Sequence, residues 1–299
     1  MKRLLATLFT FVALRCATSS TPAPAATAAT PTSATVAAPA AVPCNPSLAL
    51  INGVLWAQSS AEHDAATMGI YANARRALDA ALADPTWVGA DEETANDPAQ
   101  PPAIVLDLDE TAIDNAPNEV RAIRLGKTFD ESSWKQWVNE AAAGAIPGAA
   151  EFLAYAKSRG VTPFYVSNRD YSAKAELDES AGTRRTLEKL GFPLSDSPDT
   201  LLLRGARADW KSDKSSRRAY VAASYRLLLL LGDDLNDFVN ARDKTVAERD
   251  AMVQEHASWW GTRWFMIPNA MYGSWERAST GATGTPCELL QKKVDALKP

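Results

Sequence analysis

The sequence predicts an α/β fold: a Rossmann-like, doubly wound and mostly parallel sheet with a helical cap and N-terminal helices. Three observations predict it. Short, continuously apolar runs recur along the chain, as strands buried on both faces require. Helical segments with recognisable starts and stops alternate with them, and polar clusters rich in carboxylates follow the runs at their C-terminal ends.

The elements follow in chain order. Lys2 and Arg3 precede the apolar run Leu4 to Leu14, too short to span a bilayer, so residues 1–16 read as an export signal. Cys16 stands where a lipoprotein signal places its acylated cysteine, but Arg15 fills a position that such signals give to a small residue. A lipidated cysteine, an ordinary cleaved signal and an unmodified thiol all stay open. Residues 17–43 contain only Ala, Thr, Ser, Pro and Val, a tether that has no means to build a core. The folded unit is then residues 44–299. If Cys16 is removed or acylated, Cys44 and Cys287 remain; they either pair and staple the two ends of that unit or stay as two thiols.

Pro46 to Ala83 reads as helical, with Ile70, Ala74, Leu78 and Leu82 at four-residue spacing and Pro85 closing it. Ala103 to Leu106, Thr162 to Val166, Thr200 to Leu203, Arg226 to Leu231 and Arg263 to Ile267 read as buried strands. Pro147 to Arg159 and Ala181 to Leu190 read as helices stopped by Gly160 and Gly191. The gap between the first two strands exceeds one crossover helix, so a cap is expected at about 112–160, including Trp134 and Trp137. With 46% apolar residues and 9 Trp, the 299-residue chain can bury such a core. Its net charge of −5 argues against binding a nucleic-acid polymer.

The chemistry lies at the strand ends. Asp107-Leu108-Asp109-Glu110-Thr111 follows the first strand. A strand-end aspartate can attack phosphorus, and a second one two residues on points the same way, to protonate the leaving oxygen and then activate water. Asp109 must therefore hold a proton, which burial or a like-charged neighbour would arrange. Ser167-Asn168-Arg169 follows the second strand, where a hydroxyl and backbone N–H groups can hold phosphate oxygens. In the basic run Lys211 to Arg218, one lysine neutralises phosphoryl charge, Lys214 being favoured and Lys211 the alternative; the rest reads as a solvated helix face. Gly232-Asp233-Asp234-Leu235-Asn236-Asp237-Phe238 follows the leucine strand, and such a concentration of carboxylates suits Mg²⁺, with Asp107, Asp233 and the Asp109 carbonyl as ligands. His63 and His256, the two histidines, lack triad or metal-ligand spacing, and no P-loop or dinucleotide fingerprint occurs.

Taken in order, these four clusters resemble the four motifs of the haloacid dehalogenase superfamily. Within it the chain is similar to the bacterial class C acid phosphatases, the lipoprotein acid phosphatase and 5′-nucleotidase group, from about Leu48 to Trp275. The likeness includes Trp56 to Glu62, Ile146 to Ala149 and Pro268 to Trp275. The resemblance implies Asp107 as nucleophile, Asp109 as acid/base, Asp233 as metal ligand and Asp237 as the carboxylate behind it. It places Ser167 and Lys214 on phosphate, and Trp134 and Tyr272 around a base or nicotinamide ring, where stacking would favour a nucleoside monophosphate. Asp234 stands where the family usually has asparagine, an added carboxylate expected to shift metal affinity or pH response. The expected protein is an exported acid phosphatase, periplasmic or outer-membrane, touching the membrane only through a lipid anchor, with a homodimer left open. A phosphotransferase using the same aspartyl-phosphate, and a non-catalytic surface lipoprotein retaining the fold, are the alternatives.

Overall fold

The computed structural model describes residues 44–93, 97–172, 178–281 and 283–298; the expected export signal, Cys16 and the tether lie outside them. After a 3-10 turn at Pro46–Leu50, the chain forms α1 (Ile51–Ser59), α2 (Ala61–Ala83), β1 (Pro102–Leu106), β2 (Ile113–Asp114), α3 (Ala116–Arg124) and α4 (Glu131–Glu140). There follow β3 (Gly144–Ala145), α5 (Ala149–Ser158), β4 (Thr162–Asp170), α6 (Glu179–Lys189), β5 (Leu201–Arg204) and α7 (Ser215–Ala222). The last elements are β6 (Arg226–Gly232), α8 (Val246–Glu255), β7 (Trp264–Met266), α9 (Ser274–Thr280) and α10 (Pro286–Asp295).

Five strands make one parallel sheet in the order β5-β4-β1-β6-β7. The chain winds outward from β1 to β4 and β5, then returns to lay β6 and β7 on the other side. The order therefore reverses at β1, and the crevice beyond its C-terminal end is where such sheets bind ligands. The five expected strands are all present, each end lying within four residues of the expected one.

Alternation within the apolar strands divides the core between two faces. Ile104, Leu106, Tyr165, Leu229 and Leu231 meet α2 and α5 through Tyr71, Leu78, Phe152 and Leu153. Ala103, Val105, Phe164, Leu227 and Leu230 lie on the other face with Trp210, Val221, Phe238 and Trp264. The leucine run breaks alternation once: Leu228 and Leu229 fall on the same side, because the register with β1 slips between Ala103 and Ile104. The Leu228 carbonyl instead accepts from the Trp87 indole at 2.8 Å.

The helical pattern expected over Pro46 to Ala83 is interrupted. Ser60 is extended (φ −89°, ψ 120°) and caps α2, its hydroxyl accepting from the His63 N–H at 3.1 Å. Periodicity alone misses such a break, because the apolar stripe continues through it. Between β1 and β4, α5 is a crossover helix with Phe152, Leu153 and Ala156 in the core. The antiparallel pair β2 and β3 closes the base of the segment that carries α3 and α4.

Cys44 and Cys287 are joined in a disulfide across 243 residues of sequence, resolving the alternatives that spacing left open. It ties the chain just before the 3-10 turn to α10. Replacing both cysteines by serine is expected to lower unfolding stability by roughly 2–4 kcal/mol, measured by denaturant titration, because the unfolded chain regains the freedom that the long loop closure removes.

Candidate active site

β1 ends in a tight loop. The Asp107 N–H bonds the Leu231 carbonyl of β6 at 3.0 Å, and the Leu108 carbonyl accepts from the N–H groups of Thr111, Ala112 and Ile113. Glu110 takes a left-handed conformation (φ 57°) to make this turn, an uncommon state for a residue with a side chain. The Tyr71 hydroxyl on α2 donates to the Thr111 carbonyl at 2.7 Å and braces the loop from below.

Three carboxylates converge there. Asp107, Asp233 and Asp237 each offer an oxygen within 4.8 Å of the others. Lys214, at the N-cap of α7 and 4% exposed, donates to Asp107 and, at 2.5 Å, to Asp237. Lys211 is exposed, so burial selects Lys214 between the two lysines weighed from sequence. Asp233 accepts from Thr111 Oγ1 at 3.0 Å and from Asn269 Nδ2 at 2.8 Å, which fixes its orientation. Asp237 accepts the Asp234 N–H at 2.9 Å on its other oxygen. A Cβ on Gly232 would come within 2.3 Å of the Asp237 carboxylate, so glycine is required where β6 opens into the cluster.

Three carboxylates against one ammonium leave two negative charges in a buried site. Burial, outweighing Lys214 and aided by Asp237 and Asp109, pushes the Asp107 carboxyl up to about 7. Burial and the neighbouring aspartates raise Asp233 well above the usual range, and burial raises Asp237. A hard divalent cation would supply the missing charge, and oxygen donors are what it prefers; the residues present fit such an ion.

Asp109 points the other way, into the mouth of the site. Its side chain is 20% exposed and bonds Arg169 through Nε and, at 2.7 Å, Nη2; Asn115 Nδ2 adds a third donor at 2.8 Å. Its closest partner is thus a buried guanidinium, with the like-charged neighbours expected from sequence, Asp107 and Glu110, beside it. Arg169 and Asp109 form one unit, with Arg169 Nη1 held by Thr183 at 3.0 Å.

Ser167 is fully buried at the end of β4, its hydroxyl accepting the Arg169 N–H at 3.1 Å. Asn168 turns its amide to the loop before α7, donating to the Ser212 carbonyl at 3.0 Å and accepting from Arg217 at 2.6 Å. The basic run is not a solvated face: Arg217 and Arg218 are among the most buried side chains. Arg217 also donates to the Ser167 carbonyl at 2.6 Å, and Arg218 to the Asp237 carbonyl at 2.9 Å and to Glu92 at 2.6 Å. Loop carbonyls at the strand ends need donors that water does not reach, and guanidinium groups provide several each.

Asp234 does not join the carboxylate cluster. It accepts from the Asn236 N–H at 2.9 Å and from the Ser274 N–H and hydroxyl, both at 2.6 Å. Burial pushes its carboxyl up, but these donors outweigh burial and hold it below the usual range. Asp234 therefore pins the start of α9 and stays apart from the carboxylate cluster.

Trp134 and Tyr272 line one cavity of about 810 Å³ together with Asp109, Asn168 and Arg169. The Trp134 indole donates to Glu179 at 3.3 Å and lies 5.3 Å from the Arg169 guanidinium. The Tyr272 hydroxyl donates to buried Glu110, which also accepts the Asn115 N–H at 2.8 Å. Glu110, Thr111, Asn115, Asn269 and Arg217 were not singled out from sequence. Glu110, Thr111 and Arg217 sit inside recognised clusters; Asn115 and Asn269 reach the site through the fold. His63 and His256 stay outside, beside Asp64 and Asp91.

A family model described as HAD superfamily, subfamily IIIB (acid phosphatase), matches residues 18–275. The class C acid phosphatase from Bacillus anthracis is 31% identical, over 85% of this chain and 99% of that one, with a TM-score of 0.74. A structure of a class C acid phosphatase from Bacillus anthracis with tungstate bound is 31% identical, over 85% and 98% of the two chains, with a TM-score of 0.72.

The charge imbalance predicts a linkage between metal, pH and stability. The folded Asp107 carboxyl titrates at about 7 against 3.8 in the unfolded chain, so folding retains a proton that unfolding releases between those values. This contribution is full below the unfolded value and is lost as pH rises through the folded one. In chelator, the Tm of the protein is expected to fall from about pH 4 to pH 7 more steeply than that of Asp107→Asn. Added Mg²⁺ should raise the wild-type Tm more at pH 7 than at pH 4, read by thermal denaturation.

Proposed function

The chain belongs to the acid phosphatases of haloacid dehalogenase subfamily IIIB and is a phosphoric monoester hydrolase; from that premise we propose that it is an exported, Mg²⁺-dependent enzyme that hydrolyses 5′-nucleotides through an aspartyl-phosphate on Asp107. The family acts on small phosphate esters and generally uses a divalent metal. The observation that carries the finer reading is the convergence of Asp107, Lys214, Asp233 and Asp237 at the end of β1, beside a cavity large enough for an organic leaving group.

In this reading an Asp107 oxygen attacks phosphorus in line with the ester oxygen, and the bond from phosphorus to that oxygen breaks. Asp109 donates its proton to the departing oxygen, then takes one from the water that attacks the aspartyl-phosphate, releasing phosphate and restoring the Asp107 carboxylate and the protonated Asp109. Lys214 holds Asp107 in place and offsets phosphoryl charge, while Ser167 and the backbone N–H groups of Asn168 and Arg169 in β4 receive the phosphate oxygens. Arg169 orients Asp109 through its paired N–H groups. Mg²⁺ held by Asp107, Asp233 and the Asp109 carbonyl, with Asp237 behind, would neutralise the charge that builds on the transferred group. The segment within 112–160 acts as a cap, α3 and α4 being its outer part. Trp134 and Tyr272 would stack the base of a nucleoside monophosphate.

Export is supported by the charged and apolar start of the chain, by the tether at 17–43, and by the disulfide, which persists in an oxidising compartment. Periplasmic or outer-membrane placement through an acylated Cys16 completes the proposal. Intact mass of the exported protein is expected to show a diacylglycerol-bearing N-terminal cysteine; a mass lacking it excludes the anchor.

Steady-state hydrolysis of AMP should require Mg²⁺, stop in chelator, and drop by about a thousandfold or more in Asp107→Asn. Trp134→Ala should lower kcat/KM for AMP by about 5- to 100-fold while sparing a small aliphatic phosphate. Equal losses on both substrates would refute the stacking role.

A further inference from the structure

The cavity beside Asp109 extends well beyond any phosphate. Its volume of about 810 Å³ lies in the range that buries a whole drug-sized ligand. Its inner end is Asp109 and Arg169; its outer wall is formed by the 3-10 turn, with Pro46, Ala49 and Leu50, and by α10, with Pro286, Leu289 and Leu290. α10 lies past residue 275, where the match to the family model ends. It packs against the 3-10 turn and α9, and the Cys44–Cys287 disulfide joins these two halves of the wall covalently.

The charges around this outer part are already matched. Arg204 pairs with Asp170 at 2.7 Å, Arg277 with Asp243 at 2.9 Å and Lys293 with Glu276 at 2.6 Å. A second phosphate would have to displace one of these carboxylates. Leu50, Leu289 and Leu290, by contrast, stay partly exposed, so apolar surface still in water faces a space continuous with the reacting groups.

We propose that the disulfide-stapled wall of the 3-10 turn and α10 is a leaving-group subsite, which selects monoesters carrying an uncharged, apolar group at the end remote from the phosphate. This rests on the phosphatase reading of the same site. Leu289 and Leu290 are its specificity-determining residues, and the disulfide positions them. Longer apolar leaving groups reach the wall and bury it, whereas short ones leave it wet.

Competitive inhibition by n-alkylphosphonates, from methyl to octyl, measured against hydrolysis of a small phosphate ester, tests this on the intact protein. In the wild type, Ki should fall about two- to fourfold for each methylene that reaches the wall. In Leu289→Ser/Leu290→Ser, the gain should disappear for the long chains, with Ki for methylphosphonate and kcat on the small ester unchanged. Reduction of the disulfide in the wild type should flatten the chain-length dependence in the same way without altering either leucine. Identical chain-length dependence in native, variant and reduced protein overturns the subsite. Absence of any hydrolysis of the small ester by the wild type would instead overturn the phosphatase reading, so the two failures are distinct.

Discussion

Everything in this site depends on keeping three carboxylates, two buried and one half-buried, together at one edge of a parallel sheet. Like charges in a poorly solvated place repel strongly, and one ammonium answers only part of that repulsion. Lys214 bridges Asp107 and Asp237, so the end of β1, the end of β6 and the start of α7 are locked to one another through a single nitrogen. The remaining charge makes the cluster compatible with a divalent cation held by oxygen donors.

That arrangement needs a scaffold able to hold its loops without water. Arg217 and Arg218, buried on α7, tie the carbonyls of Ser167, Lys211 and Asp237 into one framework. On the opposite side, Glu110 in its left-handed turn gathers Asn115 and Tyr272, and Asn115 in turn accepts the Trp137 indole N–H at 2.8 Å. Residues from the loop after β1, the start of α3, α4 and the loop before α9 thereby share one network, connecting the carboxylate cluster to the cavity lined by Trp134 and Tyr272. The same logic extends outward: Asp234 pins Ser274, and the disulfide fastens the wall beyond it.

Much of this was legible in the sequence, for identifiable reasons. Strands buried on both faces are continuous apolar runs, and motifs at their C-terminal ends converge because every parallel strand points the same way. Asp107 and Asp233 were legible on those grounds, and Lys214 as one of two lysines in the basic run. The break at Ser60 was hidden because the apolar stripe runs through it. Arg217 and Arg218 looked solvated because a basic run shows its charge but not the carbonyls that surround it in three dimensions. Asn115 and Asn269 carry no local signal, since each acts on a partner brought to it by the fold. Asp234 reads from sequence as an added carboxylate that would shift metal affinity or pH response, and only the position of Ser274 shows that its oxygens are already engaged. The pairing of Cys44 with Cys287 likewise depends on where α10 comes to rest.

The central claim is that Asp107 itself takes the phosphoryl group. Its most direct measurement is acid quenching of Asp109→Asn during turnover of p-nitrophenyl phosphate, whose leaving group departs without a proton, followed by mass mapping of the peptides, because loss of the base that activates water should then let the covalent species accumulate. The account predicts one phosphoryl group on the peptide containing Asp107, at Asp107, and none when Asp107→Asn is added. A phosphoryl group on another residue, or continued turnover with no phosphorylated peptide, would contradict it.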